Sequence, residues 1–311
     1  MRTLVIDNPA SRMHRVPPGH PEHEGRYTAV REALTGLTQP VWHAAKPATT
    51  TAIERFHTAD YIERVRAACL TAGARDEWVA LDLDTKVCRE SLDAAMATAG
   101  GAIDAVDRIM AGEADAAFCL ARPPGHHAEP DRAMGFCLLN SIAIAALHAI
   151  EVHALTRVAI IDIDVHHGNG SQCLAEIDQR VFFASLHQSP LYPGTGAAAE
   201  TGLNGNVVNL PLKAGTAGAA WREVFGARIR PALAAFRPEI IFVSAGFDAH
   251  ERDPAGGLAL LEADFAWAAT ALAGLAAEFA SSRLVSVLEG GYDCPALGRS
   301  AAAFVQALVD A

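Results

Sequence analysis

Positive charge is scarce in this chain. Lysine and arginine total 25 against 36 acidic residues, for a formal net charge of −11. Phosphate backbones are gripped by Lys and Arg, so this balance argues against nucleic acid as a direct partner, while it is compatible with cationic substrates. Long apolar runs are missing too: none reaches the roughly 20 residues needed to cross a bilayer. The six cysteines (Cys69, Cys88, Cys119, Cys137, Cys173 and Cys294) form no C-x-x-C pair. Nothing ahead of the first strand-like segment, Thr3 to Ile6, reads as a signal peptide. The expectation is therefore a cytoplasmic protein with reduced thiols, mostly buried as small hydrophobes. There is no internal repeat, no low-complexity linker and no break in composition, which favours one domain over residues 1–311. The 51% of hydrophobic residues allow a substantial core and exclude global disorder.

What is present is an alternation of strand and helix patterns. Strand-like runs at 3–6, 114–120, 181–186, 207–212, 240–245 and 284–288 are separated by helical stretches beginning near residues 24, 58, 91, 140, 216 and 258, with a last helix closing the chain. Thr58 is placed to cap the second helix. This order predicts an α/β protein with a mostly parallel sheet covered on both faces.

Its centre is RVAIIDIDVHHGNGSQC, residues 157–173. Alternation along a strand predicts Asp162, Asp164 and His166 on one face, opposite Ile161, Ile163 and Val165. Gly168 and Gly170 then signal a turn, so the ionisable trio lies at the C-terminal end of its strand, where α/β sheets bind ligands. Three more strand ends carry unusual chemistry: His126 and His127, Asp248, and Tyr292. Each alone has a bland reading as a polar loop, a turn residue or a packed aromatic. Four together on one rim point to a site. A catalytic zinc takes three protein ligands and keeps an open position for water, and Asp164, His166 and Asp248 supply such a set, with Asp162 behind them. Zinc lowers the pKa of its water towards roughly 7. A proton carrier is then needed, and His126 and His127 are the candidates. The Tyr292 hydroxyl is suited to stabilising an oxyanion. These parts describe amide hydrolysis.

The same residues carry a family resemblance. RPPGHHAEPDRAMGFCLLN (122–140), IDIDVHHGNGSQ (161–172), SLHQSPLYPGTG (185–196), SAGFDAHERDPAGGL (244–258) and LEGGYD (288–293) resemble the motifs of the zinc-dependent histone deacetylase family. The chain is most similar to its bacterial class II-like branch, with acetylpolyamine amidohydrolases as relatives. The resemblance implies the arginase/deacetylase fold, with about eight mostly parallel strands between helical layers. It also implies one zinc per chain on Asp164, His166 and Asp248, His127 as general base and acid, and His126 as an electrostatic partner bonded to Asp162. Tyr292 is implied to polarise the acyl carbonyl. A buried monovalent cation, potassium, is implied behind the zinc, held by Asp162, the Ser185 hydroxyl, the Leu186 carbonyl and the backbone of Asp164 and His166. Phe136 and Tyr192 would line the substrate tunnel, Gly135 would contact substrate, and Arg26 matches the arginine of an internal acetate channel.

Some positions depart from the family. Ser141 stands where a second Asn is common, and HPEHEGR replaces a Pro-containing entrance pattern. Asn169 stands where class I members carry Asp, and a neutral partner suits a base that starts uncharged. Ala255, at the tunnel mouth, has neither the Glu of polyamine-type members nor the Leu common in class II-like ones. The expected substrates are therefore acetyl-lysine proteins or small acyl amides rather than acetylpolyamines, although Glu251 or an oligomer partner could bring charge to the mouth. A two-metal arginase-type site would want a carboxylate where His250 stands. A catalytically dead acyl-binding protein would lack one of the site groups, and all are present. A cysteine nucleophile fares poorly, because neither Cys137 nor Cys294 is expected at a strand end or helix start.

Overall fold

A computed structural model describes residues 1–37 and 39–311 of the chain. Its main sheet has eight strands in the order β2-β1-β5-β10-β9-β6-β7-β8, and every pairing is parallel. They are β1 (Thr3–Asp7), β2 (Val41–Ala44), β5 (Ala116–Leu120), β6 (Val158–Asp162), β7 (Val181–Gln188), β8 (Val207–Leu212), β9 (Ile240–Ala245) and β10 (Leu284–Leu288). The short strands β3 (Val79–Ala80) and β4 (Lys86–Val87) form a separate hairpin. Every residue of β5, β6, β7, β9 and β10 is buried, as continuous apolar runs in a doubly covered parallel sheet should be. The edge strand β2 was not anticipated, because Val41 and Ala44 are exposed, Trp42 and His43 only half-buried, and the four residues form no long apolar run.

One face is covered by α1 (Gly25–Thr35), α7 (Gly218–Phe236), α8 (Glu262–Phe279) and α9 (Cys294–Asp310). The other is covered by α3 (Ala59–Arg75), α4 (Ser91–Met110), α5 (Ser141–Glu151) and α6 (Asn169–Ile177), with the single turn α2 (Thr50–Ile53) beside α5. Thr58 caps α3 as expected, its hydroxyl accepting from Tyr61 N at 3.3 Å. Asn140 caps α5 in the same way through Ala143 N, at 2.9 Å.

Four neighbouring strands in the middle of the sheet, β5, β10, β9 and β6, deliver His126, His127, Tyr292 and the three zinc-ligand candidates to one rim. One expectation is corrected there. β6 ends at Asp162, so Asp164 and His166 are not strand residues and do not share a face by alternation. An irregular segment brings them in instead, and Gly168 makes it possible: a Cβ there would lie 2.1 Å from Asp162 Oδ2.

Candidate active site

The segment after β6 is wired by its own backbone. Asp162 Oδ1 accepts from Asp164 N at 3.1 Å, and Asp164 Oδ1 accepts from His166 N at 2.9 Å. Two further amides fix the outer oxygens of the carboxylates: Gly290 N donates to Asp164 Oδ2 at 2.8 Å, and Val165 N to Asp248 Oδ1 at 2.8 Å. The inner oxygens are left facing His166 Nδ1, with Asp164 Oδ1 at 3.0 Å and Asp248 Oδ2 at 3.2 Å. Asp248 Oδ2 is buried and makes no hydrogen bond. Burial, reinforced by the neighbouring Asp164 charge, pushes the Asp248 carboxyl up to about 7. Two buried carboxylates and an imidazole converging with one oxygen unsatisfied is the donor set a divalent cation completes, and the residues fit zinc.

The two histidines are set apart by their partners. His126 Nδ1 lies 2.9 Å from Asp162 Oδ2, the hydrogen bond expected for it. Burial alone would lower its pKa, but the Asp164 and Asp162 carboxylates outweigh that and raise it to about 10, which favours the imidazolium form. His127 Nδ1 lies 2.8 Å from Asn169 Oδ1. The Asn169 amide cannot be turned round, because its Nδ2 donates to Glu129 Oε1 at 2.7 Å. Its oxygen therefore faces His127, Nδ1 of His127 carries the hydrogen, and Nε2 is left as a free acceptor. Burial and the positive charges of His126 and His166 hold His127 well below its ordinary pKa, which keeps it neutral.

Tyr292 follows the glycine pair after β10. Its ring meets that of Phe136 edge-on, with centroids 5.9 Å apart, and the Arg26 guanidinium lies 4.9 Å from its centroid. Burial pushes its hydroxyl well above the usual value, so it stays protonated and can donate. Arg26 is not at the substrate surface. It is fully buried behind Tyr292, donating to the Gly291 and Glu289 carbonyls and to Glu22 Oε1. Glu22, from the divergent HPEHEGR stretch, is held at about 2 against its burial by Arg122 and Arg26. Gly135 has a φ of 55°, and a Cβ there would meet the His127 ring at 2.3 Å. Tyr192 stands edge-on to His127 with centroids 5.1 Å apart. A groove of about 730 Å³ borders Tyr292, lined also by Pro17, Pro18, His20, Trp78 and Pro254. Ala255 sits half-buried next to Pro254, its N bonded to Asp253. Ser185 pairs with Asp162 in register between β7 and β6, with Leu186 next in the strand.

Three supporting acids escaped the sequence reading. Glu289 Oε2 accepts from Gly125 N at 2.6 Å and His126 N at 3.1 Å, and so positions the histidine pair. A Glu at the end of the apolar run LVSVL was the available clue. Asp253 Oδ2 accepts from Tyr292 N at 2.6 Å, and Asp84, from the hairpin loop, accepts from Gly135 N at 3.1 Å. Both sit in polar loops with nothing local to mark them. Cys294 corrects an expectation, since it opens α9 and therefore does sit at a helix start. Burial nevertheless raises its thiol pKa, as it raises that of Cys137, so neither is an activated nucleophile.

Residues 20–308 match the family model for the histone deacetylase domain. The chain belongs to the histone deacetylase family. A probable deacetylase from Methanothermobacter thermautotrophicus is 37% identical over 98% of this chain and 90% of its own length. A histone deacetylase-like amidohydrolase from Pseudomonas aeruginosa is 40% identical over 88% of this chain and 71% of its own. The crystal structure of the HDA15 HD domain superposes with a TM-score of 0.92 at 32% identity, covering 99% of this chain and 88% of that one. The sheet and its flanking helices are thus those of the arginase/deacetylase fold, and deacetylase or amidohydrolase chemistry is the activity this family brings to the rim just described.

Proposed function

We propose that the chain is a zinc-dependent amidohydrolase that removes an acyl group, foremost acetyl, from an acyl-lysine side chain or a small acylated amine. The observation that carries this reading is the pair of buried histidines, His126 bonded to Asp162 and His127 to Asn169, beside the converging side chains of Asp164, His166 and Asp248. Asp164, His166 and Asp248 would hold the zinc, which when bound supplies a Lewis acid for the acyl oxygen and a more acidic water. His127 takes the proton from the attacking water on Nε2 and passes it to the departing amine nitrogen. His126, tied to Asp162 and favoured as the imidazolium, stabilises the negative charge that develops during attack. Tyr292 donates its hydroxyl to the acyl oxygen as that charge grows. Gly135, Phe136 and Tyr192 form the wall past which the acyl-bearing arm reaches the histidines. A monovalent cation on Asp162, Ser185, Leu186 and the backbone of Asp164 and His166 belongs to the same proposal, supported by the side-by-side placement of Asp162 and Ser185 in the sheet.

The deciding experiment is a deacylation panel of acetyl-lysine peptide, acetylspermidine and a small acetyl amide, run with zinc-loaded protein and after chelation. The reading expects zinc-dependent turnover that favours the peptide or the small amide, since Ala255 offers no charge to a distant ammonium. Asp248→Ala should lose the active-site zinc equivalent and its activity. Full zinc content in that variant, or a tenfold preference for acetylspermidine, would overturn the corresponding part.

A further inference from the structure

A second group of ligand side chains converges at the far end of the molecule. Asp107 lies near the C-terminus of α4, His148 in the last turn of α5, and His153 just beyond it. α4 and α5 lead into β5 and β6, so their C-terminal ends lie at the base of the sheet, opposite the catalytic rim. His148 Nε2 and His153 Nε2 both lie 2.7 Å from the same atom, Asp107 Oδ1. The two rings meet edge-on with centroids 5.4 Å apart.

The arrangement is held in place before any ligand arrives. The turn carrying His153 is closed by Val152 N donating to the His148 carbonyl at 2.9 Å and Leu155 N donating to the Ala149 carbonyl at 3.2 Å. His148 Nδ1 is buried and makes no hydrogen bond, so Nε2 is the working nitrogen of that ring. The Asp107 side chain is 49% exposed and that of His153 23%, which leaves a path from solvent and room for water ligands. Both imidazoles lower the Asp107 pKa against the effect of its partial burial, so the carboxylate is ionised.

We propose that Asp107, His148 and His153 form a second divalent-metal site, distinct from the catalytic one and completed by water. Two imidazoles and one carboxylate favour zinc, nickel or copper over magnesium or calcium. Occupied, the site ties α4 to the α5–β6 turn, so its effect is on stability rather than on turnover.

The test uses Zn²⁺ as probe on the metal-free full chain, with bound metal counted by titration calorimetry and by elemental analysis after gel filtration. Wild type is expected to bind one equivalent more than His153→Ala or Asp107→Asn. Both variants should keep wild-type turnover when zinc-loaded, and should lose part of the rise in Tm that zinc gives the wild type. Circular dichroism confirms that they fold. Equal zinc stoichiometry in wild type and both variants overturns the proposal, and the two imidazoles then simply share a hydrogen-bonded carboxylate. The readout is a difference between chains with the same catalytic residues, so it is independent of the active-site reading. Asp164→Ala should lose the other equivalent.

Discussion

Asn169 decides which histidine can accept a proton. Because Glu129 fixes its amide, His127 presents a bare Nε2, while the Asp164 and Asp162 carboxylates raise the pKa of His126. His127→Ala should therefore cost more than His126→Ala: about 10²–10⁴-fold in kcat, the usual range for losing a general acid–base. His126→Ala loses only electrostatic support. Steady-state kinetics on an acetyl-lysine peptide check the order, and an active His127→Ala enzyme would reverse the assignment. Tyr292→Phe leaves the Phe136 contact and the Asp253 bond to the Tyr292 amide intact. It should fold, bind zinc and lose roughly 10²-fold or more in kcat, the scale for one oxyanion donor. Wild-type turnover would reduce Tyr292 to packing.

At the scale of elements, the site is a property of strand ends and the glycines that follow them. Gly290 shows this best. Its N–H holds Asp164 Oδ2, and a Cβ on it would lie 1.9 Å from Asp248 Oδ2, inside the ligand set. Gly290→Ala must push at least one carboxylate out of place. Zinc affinity, read by competition with a chelating dye, should fall at least tenfold with little change in far-UV dichroism; unchanged affinity would mean that the ligands are not where this geometry puts them. Much of this was legible in the chain. β5, β7, β8, β9 and β10 lie within two residues of their expected limits, because buried parallel strands are written as uninterrupted apolar runs. The site was less legible. Periodicity predicted that Asp164 and His166 would extend β6, whereas the strand stops at Asp162 and backbone-to-carboxylate bonds take over. Glu289, Asp253 and Asp84 act through bonds to residues far away in sequence, and no local pattern records such partners. The helix α6 has no counterpart among the expected elements, since Gly168 and Gly170 signal a turn and mask its start. Gly170 is required there by a close approach: a Cβ would lie 2.2 Å from the Ala128 carbonyl oxygen.

For the molecule as a whole, stability in acid ties the helical layer to the catalytic loop through His57. This residue, 1% exposed between α2 and α3, accepts a hydrogen bond on Nε2 from Asn140 N at 2.9 Å. Asn140 in turn caps α5 and donates from its Nδ2 to Ser171 Oγ at 3.2 Å. A protonated His57 has no lone pair for that amide, and burial depresses its pKa to about 4. In the unfolded chain a histidine takes up its proton near pH 6.5. Between about pH 6.5 and 4 the unfolded state therefore binds more protons, and stability falls as the pH falls through that window. The full difference corresponds to about 3 kcal/mol. Acid also relieves the repulsion within a chain of net charge −11, which acts in the opposite direction, so the total pH dependence does not isolate His57. A comparison does. His57→Leu should be less stable than wild type at pH 7 by about 1–3 kcal/mol, because it leaves the buried Asn140 N–H unsatisfied. It should also lose less stability than wild type on going to pH 4.5. Urea unfolding of the metal-free proteins at the two pH values measures both quantities, and parallel pH dependences would show that His57 is not held neutral by the fold.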